Sequence, residues 1–234
     1  MATQNPAIKP GNKILAYSIH LLTALGAVFG VWALIITVQG EYQSALWLLA
    51  VSVVIDSVDG TLARKCHVKE LAPRIDGALL DNIVDYLTWT IVPLIWAFYV
   101  LHISLTVSLI CVLASLFGFS NLNAKTSDHY FLGFPSYWNL VIFHLFILGV
   151  SPLFSDIVLI ICSALVFIPL KWVYPSRTTI LQKLTLSLSI IYAIQLIALV
   201  YLFKLSPDWL IYSSLIFPIY YTLLSFYVNI VTTS

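Results

Sequence analysis

Apolar residues fall along this chain in runs of about 20, the length an α-helix needs to cross a bilayer, with short polar breaks between them. The first run covers 14–38 and stops at Gln39-Gly40-Glu41. A second covers 42–64 and a third 77–101. Residues 86–124 carry no charge and are too long for one crossing, so a break is expected at His102-Ile103-Ser104, with a fourth helix to Leu122. A polar loop over 123–135 precedes a short fifth helix, 136–150, and a sixth, 156–172. After Tyr174-Pro175-Ser176-Arg177 come a seventh over 184–203 and an eighth over 209–231, the last with a kink at Pro218, which lacks a backbone donor. The pattern predicts an all-α fold, a polytopic integral membrane helix bundle of about eight transmembrane helices.

Composition agrees with that pattern and narrows the partners. Hydrophobic residues make up 61% of the 234 and charged ones 9%, against roughly 25% charged in a soluble domain. Nothing here suits nucleic acid, whose partners carry basic patches. If the N-terminus is cytoplasmic, Lys9, Lys13, Arg64, Lys65, Lys69, Arg74, Lys125, Lys171, Arg177 and Lys183 lie inside, and Lys204 alone lies outside. That bias predicts both termini in the cytoplasm. Residues 1–13 read as a short cytoplasmic tail without a secretory cleavage pattern. Cys66, Cys111 and Cys162 suggest no disulfide framework.

One stretch breaks the apolar pattern. Lys and Arg total 11 and Asp and Glu 10, yet ten of these charges fall within residues 56–85. On a helix Asp56 and Asp59 share a face with Gly60 and Ala63, and Gly77, Asp81 and Asp85 follow one another at i, i+4 on a second helix. The basic segment 64–74 joins the two, so both acidic faces lie at the same membrane depth, the cytoplasmic leaflet. Carboxylates inside apolar segments are costly and by default mark a functional site. Four of them converging call for cations, and oxygen-only ligation leaves magnesium, manganese or calcium open. Glycine and alanine on the same faces let a bulky ligand approach the backbone. The bland alternative is a set of helix-end charges snorkelling into the headgroups. For Glu70 a solvated loop charge is the simpler reading, and for Asp76 a helix cap.

The eight positions Asp56-x2-Asp59-Gly60-x2-Ala63-Arg64 and Gly77-x3-Asp81-x3-Asp85 resemble in full the signature of the membrane CDP-alcohol phosphotransferases. The twelve-residue gap between Arg64 and Gly77 is longer than in most of that family and is similar to the gap of its bacterial, phosphatidylcholine-forming branch. The stretches His20-x2-Thr23-Ala24-x-Gly26, 81–86 and 134–139 resemble that branch too. The resemblance implies a six-helix core over 14–180 and a C-terminal two-helix hairpin over 181–234. It implies transfer of the phosphatidyl group of CDP-diacylglycerol to choline with release of CMP, in the bacterial inner membrane. It also implies two Mn2+ or Mg2+ ions, membrane lipids as partners, and a homodimer, since family members are often dimers.

Carried over residue by residue, the pattern makes Asp56, Asp59 and Asp81 metal ligands. Asp85 closes the metal site and acts as the general base. Gly60, Ala63 and Gly77 line the cytidine pocket, where Asp56 and Asp59 also face the nucleotide, and Arg64 meets the diphosphate or simply anchors the topology. Choline needs aromatic faces and negative charge. Tyr86, beside Asp85, and Tyr137 and Trp138 are the candidates, although aromatics also belt membrane interfaces. His20 and Thr23 line the cavity or pack helices; Lys171 and Arg177 hold lipid phosphate or anchor the loops. The rival readings are a related enzyme using inositol, glycerol phosphate or serine, and a cation-coupled transporter. A transporter would place its carboxylates near the midplane of repeated or broken helices, and no repeat is visible.

Overall fold

The computed structural model describes residues 10–232. The expected tail therefore lies outside the described residues up to Lys9, and its last four positions belong to the first helix. The two chain termini also lie outside. Contacts divide the chain into two units, with the boundary between Val92 and Pro93 inside the third long helix.

The first unit is a helical hairpin joined by a third helix. Helix α1 (Pro10–Val38) and helix α2 (Tyr42–Lys65) run antiparallel. The three-residue turn between them depends on Gly40, whose φ of +88° suits glycine alone. After α2 the chain reverses through His67 into the single turn α3 (Val68–Leu71). Val68 and Ala72 pack there on Ala16 and Ile19 of α1. Helix α4 (Gly77–Asp85) follows, and the Asp76 carboxylate caps it by accepting from the backbone N–H of Ala78 and Leu79 at 3.0 and 3.1 Å. Beyond Asp85 the same helix widens into a π-helical turn, Tyr86–Ile91, before continuing as α5 (Val92–Val100). Pro93 accounts for the widening. It has no N–H for the Trp89 carbonyl, and the Val92 N–H bonds to the Leu87 carbonyl, five residues back.

In the second unit helix α6 (Leu105–Ser120) lies parallel to α8 (Pro152–Val166). Contacts pair the two in rising order: the Ser104 N–H donates to Asp156 at 3.0 Å, Ser163 Oγ meets Cys111 Sγ at 3.3 Å, and Gly118 lies against Val166. Helix α7 (Trp138–Ile147) lies between them in sequence. Strands β1 (Tyr130–Leu132) and β2 (Lys171–Val173) form an antiparallel ribbon, which the all-α expectation did not include. The free edge of β2 is satisfied by side chains of the last helix. Asn229 accepts from the Lys171 N–H and donates to the Lys171 carbonyl, both at 2.8 Å, and Ser225 accepts from the Val173 N–H at 3.1 Å. Helix α9 (Gln182–Leu202) precedes α10 (Asp208–Ser214) and α11 (Ile216–Thr232). The break at Leu215 is the Pro218 kink displaced upstream, because a proline deprives the carbonyl four residues earlier, that of Ser214.

Eight helical segments thus stand at the expected places among the described residues. Five are long and apolar enough to cross a membrane: 12–38, 42–65, 77–100, 182–205 and 208–231. The other three, α6 to α8, are apolar but shorter, with 16, 10 and 15 residues. Ten residues rise about 15 Å, half of a hydrocarbon core of about 30 Å. The sixth expected helix, drawn to Trp172, ends at Val166 because the chain turns through Phe167 and Pro169 into β2. Large apolar side chains are exposed in each unit, such as Val31, Trp32 and Ile35 in the first and Leu113, Ile161 and Ile194 in the second, as lipid-facing helices require.

Candidate active site

The acidic cluster is assembled by close helix packing around Gly26. A Cβ at that position would stand 2.9 Å from Val84 Cγ1, and one at Gly30 would stand 2.9 Å from Thr88 Cγ2. Glycine at both positions of α1 is what lets α4 and its wide turn approach so nearly. On the other flank, Ser52 Oγ of α2 donates across to the Gly26 carbonyl at 3.1 Å. Ser52 stands one turn before Asp56, and Val84 stands one residue before Asp85. Gly26 therefore sets the separation of the two acid-bearing helices.

The result is a group of three carboxylates. Each of Asp56, Asp81 and Asp85 offers an oxygen within 4.8 Å of the others, and all three are partly buried. At that separation and an effective dielectric near 20, each charge pair repels by about 3 kcal/mol, a cost that a bound cation offsets. Two oxygens on opposite sides of one ion stand about 4 Å apart for magnesium and up to about 5 Å for calcium, so the spacing fits a hard divalent cation. The donor set, carboxylate oxygen only, points the same way.

Asp59 is buried at 4% exposure and does not belong to that group. The reason is angular: three residues of helix turn through about 300°, which leaves about 60° between Asp56 and Asp59, whereas Asp81 and Asp85 diverge by about 40°. Arg64 is exposed at the end of α2, where it donates to Thr61 Oγ1 at 3.1 Å. Gly60 and Ala63 lie beside it, half-buried. A Cβ on Gly60 would stand 3.4 Å from the Arg64 guanidinium. Gly77 opens α4 against the His20 ring. Thr23 is buried and donates to the Ile19 carbonyl of its own helix at 3.4 Å. Tyr86 is half-buried at the first position of the wide turn.

The remaining candidates belong to the second unit. Trp138 is fully buried, edge-on to Phe134, and its indole N–H donates to Ser115. Tyr137 meets Phe131 edge-on at 6.3 Å, and Phe131 in turn stacks on Tyr174 at 4.7 Å. The Arg177 guanidinium stands 5.2 Å from the Tyr174 ring centre. Lys171 donates to Asp128 at 2.8 Å and stands 5.3 Å from the Tyr130 ring centre. That hydrogen bond holds the Asp128 carboxyl below its ordinary range. Ser52, Gly30, Val84 and Thr88 were not among the expected site residues. The small-x3-small pattern Gly26-x3-Gly30, and a serine one turn before Asp56, were the available signals.

Two acid-bearing helices drawn together by glycine, with a cation-sized group of carboxylates between them, define a class that sequence comparison identifies. The CDP-alcohol phosphatidyltransferase family pattern matches residues 14–220, and this chain belongs to that family. Within it, the chain is similar to the phosphatidylcholine synthase of Legionella bozemanae, 46% identical over 184 residues, which cover 74% of this chain and 85% of the relative. The phosphatidylcholine synthase of Borreliella burgdorferi is 42% identical over 184 residues, 77% of this chain and 79% of the relative. That of Pseudomonas aeruginosa is 33% identical over 194 residues, 81% and 82% of the two chains.

Proposed function

We infer that this protein is a phosphatidylcholine synthase, which transfers the phosphatidyl group of CDP-diacylglycerol to choline and releases CMP. The observation that carries the reading is the convergence of Asp56, Asp81 and Asp85 in a chain of this family whose relatives bear that name. The choline oxygen forms a bond to the β-phosphorus, the bond from that phosphorus to the CMP oxygen breaks, and Asp85 takes the choline proton. Asp56, Asp59 and Asp81 hold divalent cations, with Asp85 closing the site; two manganese or magnesium ions are expected. Bound there, such ions neutralise the diphosphate and the charge that develops on departing CMP.

The other residues orient the substrates. Gly60, Ala63 and Gly77 leave room for cytidine, and Arg64 pairs with the diphosphate. Tyr86 and Tyr137, each partly exposed, and the fully buried Trp138 are the aromatic candidates for the quaternary ammonium, and Arg177 and the Asp128-paired Lys171 are those for lipid phosphate. The core is 14–180 and the added hairpin 181–234. The enzyme sits in the bacterial inner membrane, both termini and the active site on the cytoplasmic side, as a homodimer. An even number of crossings is then required, so at least one of the shorter apolar helices joins the five long ones in spanning.

The test is purified protein with CDP-diacylglycerol, Mn2+ or Mg2+, and choline, inositol, glycerol phosphate, serine or ethanolamine in turn, scored for CMP release and lipid product. Choline is expected to give the highest kcat/KM. A different best acceptor would overturn the choline assignment and leave phosphatidyl transfer standing; cation flux into proteoliposomes without CMP release would overturn both.

A further inference from the structure

His20 lies outside the acidic motif, yet its environment ties it to that site. The residue is 7% exposed on α1, and its Nε2 has no hydrogen-bond partner among the described residues. A buried polar atom in that condition weakens the fold, so its retention asks for a use. The ring edge faces the first turn of α4: a Cβ built on Gly77 would stand 3.0 Å from His20 Cε1 and 3.6 Å from Nδ1. His20 therefore occupies the space that a side chain at position 77 would need. Position 77 is one turn before Asp81 and two turns, about 12 Å of helix, before Asp85. The imidazole is thus at the end of the acid row away from the general base.

Of the two substrates, only one matches an unpaired imidazole at that end. Choline brings a single hydroxyl, which reacts at Asp85, and its quaternary ammonium forms no conventional hydrogen bond. The nucleotide brings ribose hydroxyls, a cytosine edge and phosphate oxygens, which a ring nitrogen can meet as donor or acceptor. Building on the phosphatidyl-transfer reading above, we propose that His20 is a specificity-determining residue for the donor substrate, its Nε2 hydrogen-bonding the CMP portion of CDP-diacylglycerol. Gly77 is glycine in part to seat this ring, which rests against the first turn of α4.

The experiment measures equilibrium binding of CMP, in the presence of Mn2+, to the purified full chain in detergent, alongside KM for each substrate. His20→Phe fills the same volume without ring nitrogens, and His20→Gln restores a polar group near the Nε2 position. The Phe variant is expected to bind CMP about tenfold more weakly, the scale of one buried hydrogen bond, with KM for CDP-diacylglycerol rising in step. KM for choline should change less than about twofold, and the Gln variant should recover most of the loss. If His20→Phe does not purify as a monodisperse protein, His20→Asn, whose amide falls short of the Nε2 position, replaces it in the comparison with Gln. Wild-type binding with unchanged affinity in the Phe variant, or in the Asn variant standing in for it, would overturn the assignment of His20 alone, as would a rise confined to the choline KM. Absence of CMP binding in the wild-type protein would overturn the phosphatidyl-transfer reading and this inference with it.

Discussion

The two units of the chain are held together by different means. In residues 10–92 helices meet where side chains are missing, at Gly26, Gly30 and Gly77, and a cross-helix hydrogen bond runs from Ser52 to a backbone carbonyl. In residues 93–232 long-range side-chain bonds and ring contacts do the work: Asn229 and Ser225 complete the edge of β2, and Phe131, Tyr137, Tyr174 and Tyr221 lie in chained ring contact. Close approach through glycine fixes the separation of groups that must act together, whereas side-chain ties fix stability. Substitutions at the glycine contacts of the first unit should therefore register in activity and metal requirement, and those at the edge of β2 in the melting temperature.

The largest effect should come from the carboxylates. Asp56→Asn, Asp59→Asn and Asp81→Asn are each expected to abolish turnover while the protein inserts and purifies normally, and Asp85→Asn to lower kcat by at least about 10²-fold with CMP binding nearly intact. Steady turnover in saturating EDTA would remove the metal from the account. Next comes Gly26→Val, whose methyl groups have no room beside Val84. Displacing α4 by a fraction of an ångström to about 1 Å should cost about ten- to a hundredfold in kcat, and the Mn2+ concentration for half-maximal rate should rise. If only the melting temperature fell, the proposed contrast between the units would not hold.

Asn229→Ala in the other unit should lower the melting temperature by removing both bonds to the Lys171 backbone, a loss of about 1–3 kcal/mol, without moving the metal requirement. The smallest effect is expected at the Lys171–Asp128 pair, which is exposed and screened. The folded-state pKa of Asp128 is depressed, so its contribution is present above the ordinary carboxylate pKa near 4 and is lost as pH falls through the lower folded value. The melting curves of wild type and Asp128→Asn should therefore converge at acid pH and differ slightly at pH 7.

How much of this was legible beforehand depended on whether the decisive partner was local. The acid rows follow from helical period alone, and their convergence from the reversal at 66–76, so Asp56, Asp81 and Asp85 could be placed together from spacing. Asp59 lies outside that group of three, because i, i+3 neighbours diverge more than i, i+4 ones. The ribbon was not legible: Tyr130 pairs with Val173 across some forty residues, and α11 supplies the other edge through side chains with no strand pattern of their own. Apolar content also predicted helices longer than those formed, since it does not register the left-handed Ser136 and Gly149 that bound α7.

The π-helical turn after Asp85 has a consequence for how this helix can change. A turn closed by i+5 bonds holds an extra residue, so it resets the angular phase between what lies before it and what lies after. The Gly77-Asp81-Asp85 row ends there, and the following segment presents its faces on its own bearing. Closing the same residues as an ordinary helix would turn the helix faces just past Ile91 by about 100°, whereas removing one residue at the same time would leave those faces on their present bearing. The wide turn works as a phase joint: a single-residue deletion between 86 and 91 is absorbed there, whereas one between Asp81 and Asp85 would turn Asp85 by about 100° out of the acid row.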